Sequence, residues 1–349
     1  MNLTPEMKAQ LQEQKKQCVF CKLISGEMEA KKVFEDDLTI SMVDIHPAIK
    51  GHITFMPKEH YPILPYLSQE EFKHLFGIIP QLCQAVKEAM VTTSINVFIA
   101  NGGAAGQQAG HFLMHLLPRE NGDGFFNFFW KPKETLEEEK LKILQNNFPI
   151  MMGNHFKRNP MSWHTGTGEM VSYLQDVYAN EIILYEDEQA LVVMPKKGVV
   201  KGHIQVYSKI EEKLIENLSI NEAFHLFSTA SLAATLVFEG LGVHGTNIIL
   251  KSGETDDNPG GKLCINILPR MAEDGLNNSL LWQPKEPSYD LDSVKSRIKD
   301  KTWKVKYKEE KKKVEETVVE SKVIKIGSEE KKSNNGVDEI KEAIERINN

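Results

Sequence analysis

The sequence predicts an α+β protein of two tandem domains, each an antiparallel sheet with one long helix. Three observations carry that reading: motifs that recur at a fixed offset, one long amphipathic helix per copy, and short strands set off by turn residues around it. Val33-Phe-Glu-Asp-Asp37 returns as Leu184-Tyr-Glu-Asp-Glu188, and Lys50-Gly-His52-Ile as Lys201-Gly-His203-Ile. Leu67-Ser68 returns as Leu218-Ser219, and Leu116-Leu-Pro-Arg119 as Ile267-Leu-Pro-Arg270. Each pair is 151 residues apart, and four matches in one register mean an internal duplication. The period is too long for a solenoid unit, so each copy is expected to be a complete domain.

Residues 1–17 form an N-terminal extension with no apolar core region, which does not read as a secretory signal. In the first domain, 18–134, residues 32–43 and 52–57 read as strands. Gln69–Met90 reads as a helix, with Ser68 as its cap and Phe72, Leu75, Phe76, Ile79, Leu82 and Val86 at helical spacing. Residues 96–100 and 111–117 read as two more strands, and short turns between strands favour an antiparallel sheet. A linker covers 135–170, helical over 136–146 and polar and loop-like over 153–168. The second domain, 171–303, repeats the first. The segment 304–349 holds 12 basic and 11 acidic residues and almost no aromatics, a composition that favours disorder. Within it Val337, Ile340, Ile344 and Ile347 mark one face of a short helix, which either docks on a protein partner or on the chain's own body, or is a frayed solvated end.

The chain has 349 residues, 41% hydrophobic and 26% charged, enough for a sizeable core. Its apolar runs, such as 248–250 and 182–184, are strand-sized and fall far short of the ~20 residues a spanning helix needs. Membrane, secreted and disordered classes are set aside, and a soluble cytoplasmic protein is expected. With 42 basic and 49 acidic residues the net charge is -7, which offers no general attraction to phosphate backbones. Nucleic acid is therefore not the expected partner. Four cysteines are too few for a disulfide scaffold, whereas Cys18-Val-Phe-Cys21 has metal-ligand spacing.

Two groups of residues carry chemistry. Cys18, Cys21, His60 and His111 could form a tetrahedral zinc site, since zinc takes thiolate and imidazole ligands; the two distant histidines could equally be satisfied core residues. The stretch Asn101-Gly-Gly-Ala-Ala-Gly-Gln-Gln-Ala-Gly-His111-Phe-Leu113-Met-His115 leads a glycine-rich loop into a strand. His111, Leu113 and His115 then share a face, beside backbone amides able to cradle a phosphate.

These stretches, with Cys18-Val-Phe-Cys21-Lys-Leu-Ile-Ser-Gly-Glu27, Asp44-Ile45, Gly51-His52 and Pro57-Lys-Glu-His60, resemble the histidine triad (HIT) family of nucleotide hydrolases and transferases. The resemblance covers nearly all of residues 18–130, and residues 171–283 look like a second, degenerate copy. The family pattern is His-φ-His-φ-His-φ-φ, with φ apolar and the middle histidine attacking the α-phosphate. Here those positions are His111, Leu113 and His115, and in the second copy Lys262, Cys264 and Asn266. A leucine has no lone pair and cannot be the nucleophile.

The resemblance implies one structural zinc in the first domain, on Cys18, Cys21, His60 and His111. Glu169, Ser172, Glu211 and Lys262 stand at those positions in the second, which should be metal-free. It implies Asp44 on the ribose hydroxyls, with Phe20, Leu23 and Ile45 around the base, and Asn101, Gln107, the 102–106 loop and His115 near the phosphates. Gln108 replaces a small hydroxyl residue common in relatives. Pro195 and Ser252 replace Asp44 and Asn101 in the second copy, so ribose recognition should be lost there. Many family members are two-fold dimers, so the tandem chain implies two HIT-like domains in an intramolecular pseudo-dimer, held at high effective concentration. One copy is then free to lose its site and keep its interface.

The expected function is binding of a purine nucleotide or nucleotide conjugate by a catalytically impaired protein. One alternative is an active hydrolase or nucleotidyltransferase. It would use His115, about 6–7 Å along the strand from position 113, or Cys264 activated by Lys262. The plainer reading of Cys264 is a small buried hydrophobe. A second alternative is a non-catalytic scaffold or regulatory subunit docking through its tail. His52 and His203 read either as neighbours of the phosphate site or as residues bonded within the sheet turn. Trp130 and Trp282 read as packing across the copies or as ordinary core.

Overall fold

The structure, a computed structural model, describes residues 5–157 and 170–308. The expectations for 309–349, including the Val337 to Ile347 stripe, and for Glu169 lie outside the described residues. The first half runs α1 (Pro5–Gln17), α2 (Val19–Ser25), β1 (Lys32–Glu35), β2 (Thr39–Val43), β3 (Ile53–Pro57), α3 (Gln69–Met90), β4 (Ser94–Asn101) and β5 (Met114–Arg119). A connecting helix α4 (Glu138–His155) follows. The second half runs α5 (Gln175–Asn180), β6 (Ile182–Glu186), β7 (Ala190–Met194), β8 (Ile204–Ser208), α6 (Ile220–Leu241), β9 (Gly245–Ser252), β10 (Cys264–Arg270), α7 (Asn277–Leu280) and α8 (Leu291–Thr302).

Local chemistry sets these boundaries. The Ser68 side chain accepts from Glu71 N at the start of α3, and Ser219 with Glu222 forms a full capping box on α6. The strand expected over 32–43 is a hairpin: Asp36 Oδ1 accepts from the amides of Leu38 (3.0 Å) and Thr39 (2.7 Å) and folds the chain between β1 and β2. Asp187 repeats the turn between β6 and β7, accepting from Gln189 and Ala190 at 2.8 Å each.

All ten strands form one antiparallel sheet in the order β1-β2-β3-β5-β4-β9-β10-β8-β7-β6, which reads the same from either end when the halves are exchanged. The middle pair is β4 with β9, and its register sets Phe98 against Ile249. Those residues are 151 apart, so at this one pair a position meets its own counterpart, and the pseudo-two-fold axis passes between them. α3 and α6 cover one face, where Phe76 and Phe227, again counterparts, pack ring on ring at 4.5 Å. By length and composition alone α6 could cross a bilayer; here more than half of it is buried against the sheet and α3.

The segments outside the copies differ from expectation. The linker helix extends to His155, into the stretch expected to be loop, because Leu144, Phe148 and Met152 bury against the second half. It packs on α6, while α8, at the far end of the second half, packs on α3 and β1, so each half's trailing helix is exchanged onto the other. Phe156 stacks on His225 at 4.6 Å and Tyr307 on His74 at 4.3 Å, and each histidine is held by an aspartate, Asp187 or Asp36. The ordered body therefore runs past the expected boundary at 303, with Val305 buried.

Candidate functional site

α2 and the loops flanking β3 and β5 bring four soft ligands together. Cys18 precedes α2 and Cys21 lies within it; His60 follows β3, and His111 ends the glycine-rich loop. Their ligand atoms all lie within 4.8 Å of one another. Cys21 Sγ is 3.4 Å from His60 Nδ1 and 3.6 Å from His111 Nδ1, and Cys18 Sγ is 3.7 Å from His111 Nδ1. Tetrahedral zinc, with bonds of about 2.3 Å to sulfur and about 2.0 Å to nitrogen, separates such atoms by about 3.6 Å.

The tautomer also fits. His111 Nε2 lies 3.0 Å from the Pro57 carbonyl, which can only accept, so Nε2 carries the proton and Nδ1 offers its lone pair to the cluster. His60 Nε2 is buried without such a partner. Burial holds His111 down at about 4 and also lowers His60, so both rings are neutral ligands at neutral pH. Burial, then the neighbouring Cys18, pushes the Cys21 thiol up to about 12, so a cation is needed to hold Cys21 as a thiolate.

Residues 111–113 are not in the strand expected there; β5 begins at Met114. Phe112 N donates to Tyr61 O at 2.5 Å, and this tie seats His111 beside His60 instead of in the ladder.

A second cluster, Asp44, His52 and His115, stands beside the first. Ala48 N–H donates to His52 Nδ1 at 3.1 Å, so that nitrogen is unprotonated and His52 Nε2 carries the hydrogen. His52 Nε2 then donates to His115 Nδ1 at 2.9 Å, which leaves the His115 proton on Nε2. The sequence of bonds is a relay that orients a donor, and its proton on His52 Nε2 occupies the position a metal would need. Asp44 Oδ2 flanks it at 3.7 Å from His52 and 4.0 Å from His115. The Trp282 ring, from the second half, packs edge-on against His52 at 5.2 Å and His115 at 5.1 Å.

Burial pulls His52 down to about 3; burial, then His52, pulls His115 to about 3 against the opposing pull of Asp44. Native rings at about 3 against 6.5 unfolded bind fewer protons than the unfolded chain between those values. Stability should rise from about pH 3 to 6.5 and level off above. Ring-proton NMR should show no titration of His115 between pH 5 and 8; a midpoint near 6.5 would contradict the relay.

The pocket is lined by Phe20, Asp44, His46, Thr54, Phe98, Gly106, Gln107, Gln108, His111, Leu113 and His115, and closed by Leu281, Trp282 and Pro284 of the second half. Gly106 has φ +84 and lies so close to Leu281 that a Cβ would meet it at 2.4 Å. Of the sequence-derived ligand residues, Phe20, Asp44, Gln107 and His115 line the pocket. Gln107 does so while locking its own loop, accepting from Gly102 N (2.8 Å) and donating to Pro62 O (2.6 Å) and Ala109 O (2.8 Å). Asn101 is a brace behind the pocket, taking Leu64 N at 3.2 Å and donating to Thr246 Oγ1 at 3.4 Å. Leu23 packs beneath with Ile40, Met42, Met56 and Leu113. Ile45 is exposed and is not among the lining side chains.

The second half fills the equivalent space with its own side chains. Lys251 and Asp257 stand where the first half has Ala100 and Gly106, pair at 2.9 Å, and lie under the Trp130 ring, 4.1 Å from the ammonium. His203 keeps the relay geometry but faces Asn266 Oδ1 at 3.1 Å. Cys264 is buried beside Leu174, Val177, Leu191 and Val193, and burial pushes its thiol up to about 12. Lys262, offered as its activator, is paired with both oxygens of Asp176. Among the described residues the second half holds no counterpart of the Cys/His cluster.

A family profile described as the HIT domain matches residues 25–122. The chain is 34% identical to the protein hit of Bacillus subtilis over 130 residues, 37% of this chain and 88% of that protein. It is 29% identical to the adenosine 5'-monophosphoramidase hnt1 of Schizosaccharomyces pombe over 127 residues, 36% of this chain and 92% of that one. Among solved structures, a Zn-bound histidine triad family protein from Mycobacterium smegmatis is 30% identical, with a TM-score of 0.30 over 32% of this chain and 81% of that chain. The chain belongs to the HIT family.

Proposed function

We propose that this protein binds a purine nucleotide or nucleotide conjugate in the pocket of its first half and does not turn it over by covalent catalysis. The observation that carries this is Leu113: an aliphatic side chain lines the pocket between His111 and His115, where the family places the attacking imidazole. Around it the cradle is otherwise furnished. Asp44 is oriented by His46 N–H at 2.8 Å and is available to hydroxyls, and Phe20 offers a ring face. His115 presents an N–H, which makes it a donor to a phosphate oxygen and unsuited to attack in this tautomer. Cys264, buried with a raised pKa, is read as core.

Cys18, Cys21, His60 and His111 would hold a zinc ion. It would supply the charge that keeps both thiols ionised and would tie α2 to the loop carrying His60 and to the pocket wall at His111. The relative named an adenosine 5'-monophosphoramidase supports a nucleotide as the ligand class. Titration calorimetry with AMP should show one site per chain; no binding at millimolar AMP would sink the nucleotide reading. The ligand should also lose affinity at least tenfold in Asp44→Ala, where the partner for its hydroxyls is removed.

A further inference from the structure

The glycine-rich loop of the first half has a front and a back. Its front, Gly106 to Gln108, lines the pocket. Its back rests on the start of β9 in the second half: a Cβ at Gly245 would meet Asn101 O at 2.6 Å and Ala105 N at 3.2 Å, and one at Gly102 would meet His244 O at 3.1 Å. Across this seam one side chain reaches the loop backbone. Asn247 Nδ2 donates to Ala105 O at 2.9 Å, and Asn247 Oδ1 accepts from Arg270 Nη1 at 2.6 Å. Arg270 is held in turn by Asp274 at 2.7 and 2.8 Å and by Asn277 at 2.7 Å, and both Arg270 and Asn247 are fully buried.

The mirror-image residues behave differently. Turning the Asn96 amide so that its oxygen faces Arg119 Nη1, at 2.7 Å, sets its nitrogen to donate to Ile95 O on its own strand at 3.2 Å. The second half's loop is instead held by Asp257 on Arg119 and Lys251. So the same Asn–Arg pair occurs in both halves and each reaches across the seam by a different member: Asn247 to the backbone of the first half's loop, Arg119 to a side chain, Asp257, of the second half's loop.

We infer that Asn247, fixed by Arg270, is a positioning residue for the first half's pocket, setting its glycine-rich loop from across the pseudo-dimer seam. A buried amide that satisfies a loop carbonyl restricts that loop to one arrangement, since opening it would leave both groups unpaired. The second half, its own site filled, then acts as the rigid back wall of the first. The consequence for ligand affinity rests on the nucleotide reading above; the effect on the loop does not.

The test uses the full chain with Asn247→Asp, which keeps an acceptor for Arg270 but removes the donor to Ala105. Asn247→Ala is the second variant, with neither donor nor new charge. Without ligand, amide exchange of residues 102–110 should quicken about tenfold, while α3, α6 and metal content stay as in the unaltered protein. AMP affinity should fall about tenfold and adenosine affinity stay within twofold, because the loop faces the phosphate end. Loop exchange unchanged within twofold in both variants overturns the inference. So does a general loss of melting temperature, metal and both ligands together, which would mark an ordinary structural residue. Quickened loop exchange in a chain that binds neither AMP nor adenosine would sink the nucleotide reading and leave the positioning role standing.

Discussion

Leu113→His is expected to give the protein a turnover of adenosine 5'-phosphoramidate that, on the reading proposed above, the unaltered chain lacks. Position 113 precedes β5 on a stretch tied down by Phe112 N to Tyr61 O, and its side chain already lines the pocket between His111 and His115. An imidazole there has a lone pair directed into the cradle, so its nitrogen can form a bond to phosphorus as the P–N bond to the amine breaks and the amine leaves with a proton. Water then attacks the same phosphorus, releasing AMP and restoring the ring. Losing one member of a catalytic constellation costs on the order of 10⁴-fold or more in well-studied hydrolases. A gain of about 10³-fold is a fair expectation for a pocket that has not been tuned around the new group. Leu113 is only partly buried, so the polar replacement should cost about 1 kcal/mol or less of stability. The measurement is ammonia release, with mass spectrometry of the quenched protein to find the adenylated residue. Leu113→Ala serves as the control that opens space without a nucleophile and should stay silent. Equal turnover in the unaltered chain, with an adduct on any other side chain, would refute the impaired-enzyme reading.

The same region shows what a linear sequence carries and what it does not. The 151-residue offset was legible because four motifs share one register; that Phe98 and Ile249 would be the counterparts that meet was not. The first long helix was legible to the residue, since Ser68 caps it and its apolar spacing is regular, and the offset carries it over to the second. The turn inside 32–43 was hidden because Glu-Asp-Asp sits between β-forming residues; only the Asp36 side chain, bonding the amides of Leu38 and Thr39, folds it. Periodicity shows that a helix has an apolar face but not which half it lies on, so the exchange of α4 and α8 was invisible. At the site, the metal ligands and Asp44 came from motif positions. Trp282 came from its matching distance behind the last strand. Gln107 lines the pocket as assigned and also locks its own loop, while the Asn101 amide bonds Leu64 and Thr246 behind the pocket, partners that spacing does not encode. His52 satisfies both readings offered for it, bonded to the turn at Ala48 and to His115 in the pocket.

Removing the metal is expected to have the largest effect on stability. Two half-buried thiols and two imidazoles stand about one zinc-bonded distance apart, and burial with mutual repulsion drives the Cys21 thiol up to about 12 when no cation is near. The ion therefore has to supply the free energy that ionises Cys21, and its binding energy becomes folding energy for the segments it joins. With free zinc a thousandfold above its dissociation constant the contribution is about 4 kcal/mol. At roughly 2 °C per kcal/mol for a chain of this size, chelation should lower the melting temperature by about 8 °C. The loss should concentrate at α2, where Cys18 and Cys21 are the anchors, and amide exchange there should rise before it does in the central pair β4 and β9. Because thiols must lose protons to bind, affinity should weaken as the pH falls, and zinc loading should release protons into unbuffered solution. Cys18→Ser and His60→Ala should each reproduce the chelated state and take AMP affinity down with it, since His111 forms both a ligand and a wall of the pocket. A chain purified without metal, and unmoved by chelator or by Cys18→Ser within about 1 °C, would show that these four side chains pack as neutral core, and the wall at His111 would then owe its position to Pro57 O and to the tie of Phe112 N to Tyr61 O.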